Sequence, residues 1–193
     1  MSLFARVVLP ILIILLVVGG WTIYITSREV ASVVKILNPP SEKARALLVW
    51  HPGQSDFPAR VMNAFADGLI ATGWRVDMTT ASSEAPTDLA GYDMLVLGAP
   101  VYWGAPARPL SNYLQRIGDL RGKRTAIILT ASGNSDGAIK SAKEKVAQAH
   151  GQIVTALSFY RWRPNREDAT GDNETIGIEM ARQAAQEIKP TTD

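Results

Sequence analysis

The sequence predicts an α/β domain built as a three-layer, doubly wound sheet of five parallel strands, preceded by one transmembrane helix. Two observations carry this expectation. Five short apolar runs recur between residues 44 and 159, each ending in a loop of small or polar residues, and most stretches between them have a helical period. Ahead of them, Val7 to Ile25 is apolar almost throughout and contains no charge, long enough to cross a hydrocarbon core of about 30 Å as a helix.

In that apolar segment Pro10 sits near the start, where a missing amide hydrogen matters least, and Trp21 and Tyr24 sit near the far end, where amphipathic rings favour the lipid interface. A cleaved signal peptide is the competing reading. Against it, the apolar run exceeds the usual roughly 7 to 15 residues and no small-x-small site follows. Arg28, Lys35, Lys43 and Arg45 follow the segment while Arg6 precedes it, which orients the domain to the cytoplasm of a single-pass membrane protein. Val30, Val33, Val34 and Leu37 are at helical spacing, so the helix is expected to run on until Asn38-Pro39-Pro40 stops it, with Ser41 to Ala44 as a tether. The division expected is an anchor over 1–26, a juxtamembrane helix extension and linker over 27–43, and one domain over 44–193.

Composition narrows the chemistry. A chain of 193 residues has room for one domain with a core of its own. The formal charge of +2 is accounted for by Arg6, Arg28 and Lys35 against Glu29, so residues 41–193 are neutral and no nucleic-acid partner is expected. Cysteine is absent, which excludes disulfides, thiolate nucleophiles and lipoprotein attachment; His51 and His150 are too few for a histidine-built metal site. Redox chemistry would fall to an organic cofactor.

The elements then follow in order. Ala44 to Trp50 reads as the first strand, and a helix from about Phe57 to Thr72 carries Val61, Phe65 and Leu69 on its buried stripe and ends at Gly73. Trp74 to Thr80 alternates as the second strand; Ala81 to Thr87 has no period long enough for a full helix. Met94 to Leu97, between Asp93 and Gly98, reads as a strand buried on both faces. Arg108 to Ile117 reads as a helix with Leu110, Leu114 and Ile117 inward, Lys123 to Thr130 as the fourth strand, and Ile139, Ala142 and Val146 as the stripe of a helix ending at Gly151. Ile153 to Phe159 is the fifth strand. The last helix is capped near Asn173, presents Ile176, Met180, Ala184 and Ile188, and stops before Pro190.

Between the third strand and its helix, Ala99-Pro100-Val101-Tyr102-Trp103-Gly104-Ala105-Pro106 joins backbone-fixing glycine and prolines to two adjacent aromatics, a binding-loop composition. A buried strand ending in Gly98-Ala99-Pro100-Val101-Tyr102-Trp103-Gly104 resembles the flavin-ring loop of the flavodoxin-like family, and the resemblance covers essentially residues 44–189. It implies the strand order 2-1-3-4-5, with flavin mononucleotide (FMN) as cofactor at the switch between the first and third strands. It implies further that Gly53, Gln54, Ser55, Asp56 and Phe57 meet the phosphate, and that Ala99, Pro100, Val101, Tyr102, Trp103 and Gly104, with Ala131, Ser132, Gly133 and Asn134, meet the ring. A phosphate wants amides at a helix start plus hydroxyls, and a flat ring wants aromatic faces.

The implied function is a membrane-tethered electron carrier or reductase of the quinone or NAD(P)H type, with membrane lipid around its helix and a quinone or a membrane redox protein as partner. The phosphate loop departs from the family pattern: Asp56 stands where the family has glycine, and Pro58 where it has a late hydroxyl. Asp56 reads as a helix cap whose carboxylate would take the place of a phosphate. That motivates a second reading, a flavin-free binding module using the same crevice for a protein partner or another ligand. A hydrolase with Ser55 as nucleophile lacks the Gly-x-Ser-x-Gly elbow and a general base. Arg161, Trp162, Arg163 and Arg166 read either as a positive rim or as a loop neutralised by Glu167 and Asp168 and packed down by Tyr160 and Trp162. His51 reads as hydrogen-bonded to backbone.

Overall fold

A computed structural model describes residues 3–38 and 44–190. The apolar segment forms α1 (Leu3–Ser27), whose Arg6–Ser27 portion is long and apolar enough to cross a membrane and is largely exposed until its last turn, where Thr26 is buried. The helix stops there. Glu29 to Val34 is extended and leads into a strand, β1 (Lys35–Leu37), so the expected helical prolongation through Leu37 is replaced by sheet pairing. The reason lies in β3 (Arg75–Thr80), whose outer edge would otherwise be open: β1 pairs with it antiparallel, Lys35 opposite Met78 and Leu37 opposite Val76. The tether expected over Ser41 to Ala44, and the prolines before it, fall mainly on residues 39–43, outside the described residues.

The five expected strands are β2 (Arg45–Trp50), β3, β4 (Met94–Tyr102), β6 (Arg124–Ala131) and β7 (Gln152–Tyr160). They lie in the order β3-β2-β4-β6-β7, all parallel, which is the implied 2-1-3-4-5 arrangement with β1 added at one edge. A two-residue strand, β5 (Ala105–Pro106), turns back on the end of β4. Alternate residues of each strand feed two cores. Ala46, Leu48 and Val96 face α2 (Phe57–Ala71) and α5 (Asn173–Gln186), while Leu47, Val49 and Leu95 face α3 (Arg108–Ile117) and α4 (Asp136–Gln148).

Two local departures from the sequence reading have physical causes. The buried face of α5 is Gly177, Ala181 and Ala185, one position on from the expected Ile176, Met180 and Ala184, while Ile188, just past the helix, is buried as expected. Close approach to α2 selects the small residues: a Cβ added at Gly68 of α2 would lie 2.7 Å from the Cβ of Ala185. Between β3 and β4, residues 81–93 form turns with no helix. That part of the sheet is closed by polar contacts, with Asp77 accepting from Arg45, Arg75 and Tyr92 at 2.9, 3.2 and 3.0 Å. Tyr113 of α3 donates to Pro86 O at 2.6 Å across the same face.

Candidate functional site

The strand-to-helix connections of a parallel sheet all emerge at its carboxyl edge, and the crevice lies where those after β2, β4, β6 and β7 meet. It has a volume of about 350 Å³. Three stretches of chain build it. The start of α2 contributes Gln54, Ser55, Phe57 and Pro58; the end of β4 contributes Pro100, Val101 and Tyr102; and the far side is Thr130, Ala131, Ser132, Arg161 and Trp162.

The first stretch is set by Gly53. Its φ of +72° is a left-handed conformation that favours glycine, and a Cβ there would sit 3.0 Å from Pro100 Cγ and 3.1 Å from the Tyr102 hydroxyl. The chain therefore passes directly against the end of β4. Burial pushes the Tyr102 phenol up, and the neighbouring Gln54 backbone acts in the opposite direction. Asp56 does not cap α2. It adopts a helical conformation, is exposed, and its side chain makes no capping hydrogen bond among the described residues, so the expected occupation of the helix terminus by its carboxylate does not occur. The first turn of α2 opens at the crevice without a side-chain acceptor, and Pro58 removes one amide from it.

The second stretch is not the loop that the sequence suggested. β4 continues past Gly98 through Ala99, Pro100 and Val101 to Tyr102, paired with β6 as far as Pro100 opposite Thr130. Ala99 is consequently buried in the strand and does not reach the crevice. The chain reverses over Trp103 and Gly104, with φ of +54° and +75° between the paired Tyr102 and Ala105, the signature of a type I′ hairpin. Such a turn suits Asn-Gly; a tryptophan in it is held in a conformation that bulky residues avoid. Its ring is 84 % exposed beside the crevice and not among the residues lining it.

The third stretch begins inside β6. Thr130 is 4 % exposed, lines the crevice, and its hydroxyl has no hydrogen-bond partner among the described residues. A buried hydroxyl without a partner is a defect in a core and an asset in a binding site. Ser132 lines the crevice, whereas Gly133 and Asn134 do not; Asn134 accepts from the Asp136 amide at 2.7 Å and shapes the start of α4. The chain after β7 folds over this stretch, with Arg161 N donating to Ala131 O at 2.8 Å and Trp162 N to Ser132 O at 3.2 Å. Arg161 pairs with Glu174 at 2.6 Å. Trp162 is 76 % exposed, so it does not pack the loop down. Asn165 and Asn173 do, Asn165 exchanging hydrogen bonds with the Tyr160 backbone at 2.8 and 2.7 Å and Asn173 donating to the carbonyls of Tyr160, Arg161 and Arg163. Arg166 is neutralised by Asp168 at 3.1 Å.

Of the expected residues, Gln54, Ser55, Phe57, Pro100, Val101, Tyr102, Ala131 and Ser132 line one crevice; Gly53, Asp56, Ala99, Trp103, Gly104, Gly133 and Asn134 shape or flank it. Pro58, Thr130, Arg161 and Trp162 were not in the expected set. Thr130 was hidden as the last residue of an apolar strand. Arg161 and Trp162 carried a visible signal, a basic and aromatic cluster immediately after a strand. His51, just after β2, is buried; its amide donates to Gly98 O at 2.9 Å, while its ring Nδ1 is unpartnered among the described residues. Burial first, and then the nearby Arg28, push its pKa down.

No family model matches the chain, and no curated protein matches it by sequence. Solved structures do. The NAD(P)H:quinone oxidoreductase of Methanothermobacter marburgensis superposes with a TM-score of 0.56 at 13% identity, over 79% of this chain and 99% of that one. A flavodoxin from the domain Archaea gives 0.58 at 11% identity, over 74% and 94%. An azoreductase from Bacillus anthracis gives 0.57 at 14%, over 75% of this chain and the whole of that one.

Proposed function

We propose that this chain, which has the flavodoxin-like fold, is a membrane-tethered flavin protein that holds FMN in the carboxyl-edge crevice and passes electrons. One observation carries the reading: an uncapped helix start and a buried, unpartnered Thr130 hydroxyl open into the same crevice at the carboxyl edge of the sheet. A cofactor with an anionic group at one end and a polar-edged flat ring at the other suits that pair of features. The amides at the start of α2 and the Ser55 hydroxyl would hold the phosphate. Tyr102 would offer an aromatic face, with Trp103 and Trp162 at the mouth of the crevice, and Thr130 and Ser132 would bond the polar edge of the ring. Bound there, FMN would supply one- and two-electron chemistry, and the protein would tune it through these contacts.

The anchor reading of α1 places the domain at a membrane surface, on the cytoplasmic side by the excess of arginine and lysine after the helix. A quinone dissolved in the bilayer or a membrane redox protein is the partner that suits such a carrier or reductase. The likeness to a quinone oxidoreductase supports that choice. The second reading, a flavin-free module, draws on Pro58, which withholds an amide from the phosphate end, and on the exposed Asp56 carboxylate beside it.

Titration of the full chain in nanodiscs with FMN tests both. Saturable quenching of flavin fluorescence, weakened by Thr130→Val, supports the flavin protein. No binding by the natural chain, together with binding by the Asp56→Gly/Pro58→Thr double variant, supports the flavin-free module.

A further inference from the structure

The carboxyl edge that holds the crevice is also the edge at which the apolar helix joins the domain. The chain between Glu29 and Leu37 runs antiparallel to β3, so it enters from beyond the carboxyl end of that strand. Thr80, the last residue of β3, donates through its hydroxyl to Val30 O and through its amide to Ser32 Oγ at 3.0 Å. Glu29 accepts from the Ser83 amide at 2.7 Å and pairs with Arg116 at 3.2 Å. Only Arg28 separates the end of α1 from the first of these contacts, which leaves no slack between helix and domain.

The same edge presents its two large exposed rings. Trp103 projects from the hairpin at the end of β4, and Trp162 from the turn after β7; they are 84 % and 76 % exposed. At a strand spacing of about 5 Å, these strands lie about 10 Å and about 20 Å along the sheet from β3, where the helix is fastened. An exposed tryptophan is costly in water and well placed at a lipid headgroup boundary, where its ring is apolar and its N–H finds an acceptor. The edge carries charges of both signs, Arg108 and Arg163 against Asp56 and Asp136, so its attraction to a bilayer rests on the rings.

We infer that the carboxyl edge of the sheet is a membrane-docking face, with Trp103 and Trp162 seated in the headgroup region of the bilayer that α1 enters. The inference rests on the reading of α1 as a membrane span. Its consequence is that the mouth of the crevice opens at the lipid surface, where an amphipathic substrate partitions, and that the amino edge of the sheet faces water.

Because the chain has no cysteine, single cysteines report on single sites. The full chain is prepared with Trp103→Cys, Trp162→Cys, Leu15→Cys or Gln152→Cys, nitroxide-labelled, and reconstituted in nanodiscs of phosphatidylcholine and phosphatidylglycerol. Each label's collision rates with oxygen and with a water-soluble nickel complex are then compared. Arg163→Cys replaces Trp162→Cys if the latter does not fold. Labels at 103 and 162 are expected to favour oxygen over nickel, as the label at 15 does, while the label at 152, on the amino edge, favours nickel. Nickel preference at 103 and 162 with oxygen preference at 15 overturns the docking face and leaves the anchor standing. Nickel preference at 15 overturns the anchor and the docking face with it.

Discussion

Glu174 Oε1 lies 2.6 Å from Arg161 Nε, and Glu174 Oε2 lies 3.0 Å from Arg60. One carboxylate in the first turn of α5 thus joins the first turn of α2 to the chain that closes over the crevice. It also holds in check the cation that lines it, since Arg161 is already bonded to a carboxylate. For an anionic cofactor the two members of this pair should act oppositely. Arg161→Ala is expected to weaken FMN binding about 10-fold, or about 1.4 kcal/mol. Glu174→Gln, which leaves Arg161 charged and less engaged, should bind FMN at least as well as the natural chain. Titrations of both variants in low and moderate salt provide the check, and equal weakening by both would assign the pair to loop ordering alone.

Trp103 occupies a hairpin position for which its side chain is ill suited, and the conformation should be visible as lost stability. Trp103→Asn places an asparagine before Gly104 in a type I′ turn, the pairing that such turns prefer. Relief of the left-handed conformation is expected to raise the thermal stability of the FMN-free protein by about 1 kcal/mol. The same substitution removes an aromatic face beside the crevice, so FMN affinity should fall. Thermal melts with and without FMN would show the two effects with opposite sign.

Where local pattern alone decides an element, the sequence was sufficient. Val61, Phe65 and Leu69 are all fully buried on α2, and the five parallel strands stand close to where their apolar runs stand, although β4 runs on to Tyr102. It failed where a partner distant in sequence decides. Val30, Val33, Val34 and Leu37 have a helical spacing that isolated chain would honour, but the open edge of β3 offers backbone partners and the segment is extended. Asp56 has the composition of a cap and not the conformation. Thr130 became a site residue only because β4 runs on beside it to Pro100. The stripe of α5 shifted by one position because packing on Gly68 selects small side chains over large ones.

That last contact is directly testable. Gly68→Ala would place a methyl 2.7 Å from the Ala185 Cβ and against the Arg182 carbonyl, both belonging to a helix that cannot yield without moving. A loss of about 1–3 kcal/mol is expected in urea unfolding. Gly137→Ala, where the nearest atom is 3.6 Å away, should be tolerated and serves as the comparison.

Asp77 is 2 % exposed and stands where a crossover helix would have covered the sheet. Burial alone would raise its pKa, but hydrogen bonds from Arg45, Tyr92 and Arg75 outweigh that and hold it below the usual carboxylate range. The sign of the pH effect follows. A carboxylate whose folded pKa is depressed contributes stability above its unfolded pKa, about 3.9, and that contribution is lost as pH falls through the lower folded value. Asp77→Asn is expected to destabilise the protein by about 1–3 kcal/mol at neutral pH, because the buried side chain loses the charge that accepts from the partly exposed Arg45 and Arg75. It should also flatten the pH dependence of stability between about pH 5 and the acid limb. Urea midpoints from pH 7 down to pH 3 for the natural chain and the variant would read both effects. A variant curve parallel to that of the natural chain throughout would show that Asp77 is not the group whose protonation weakens the fold.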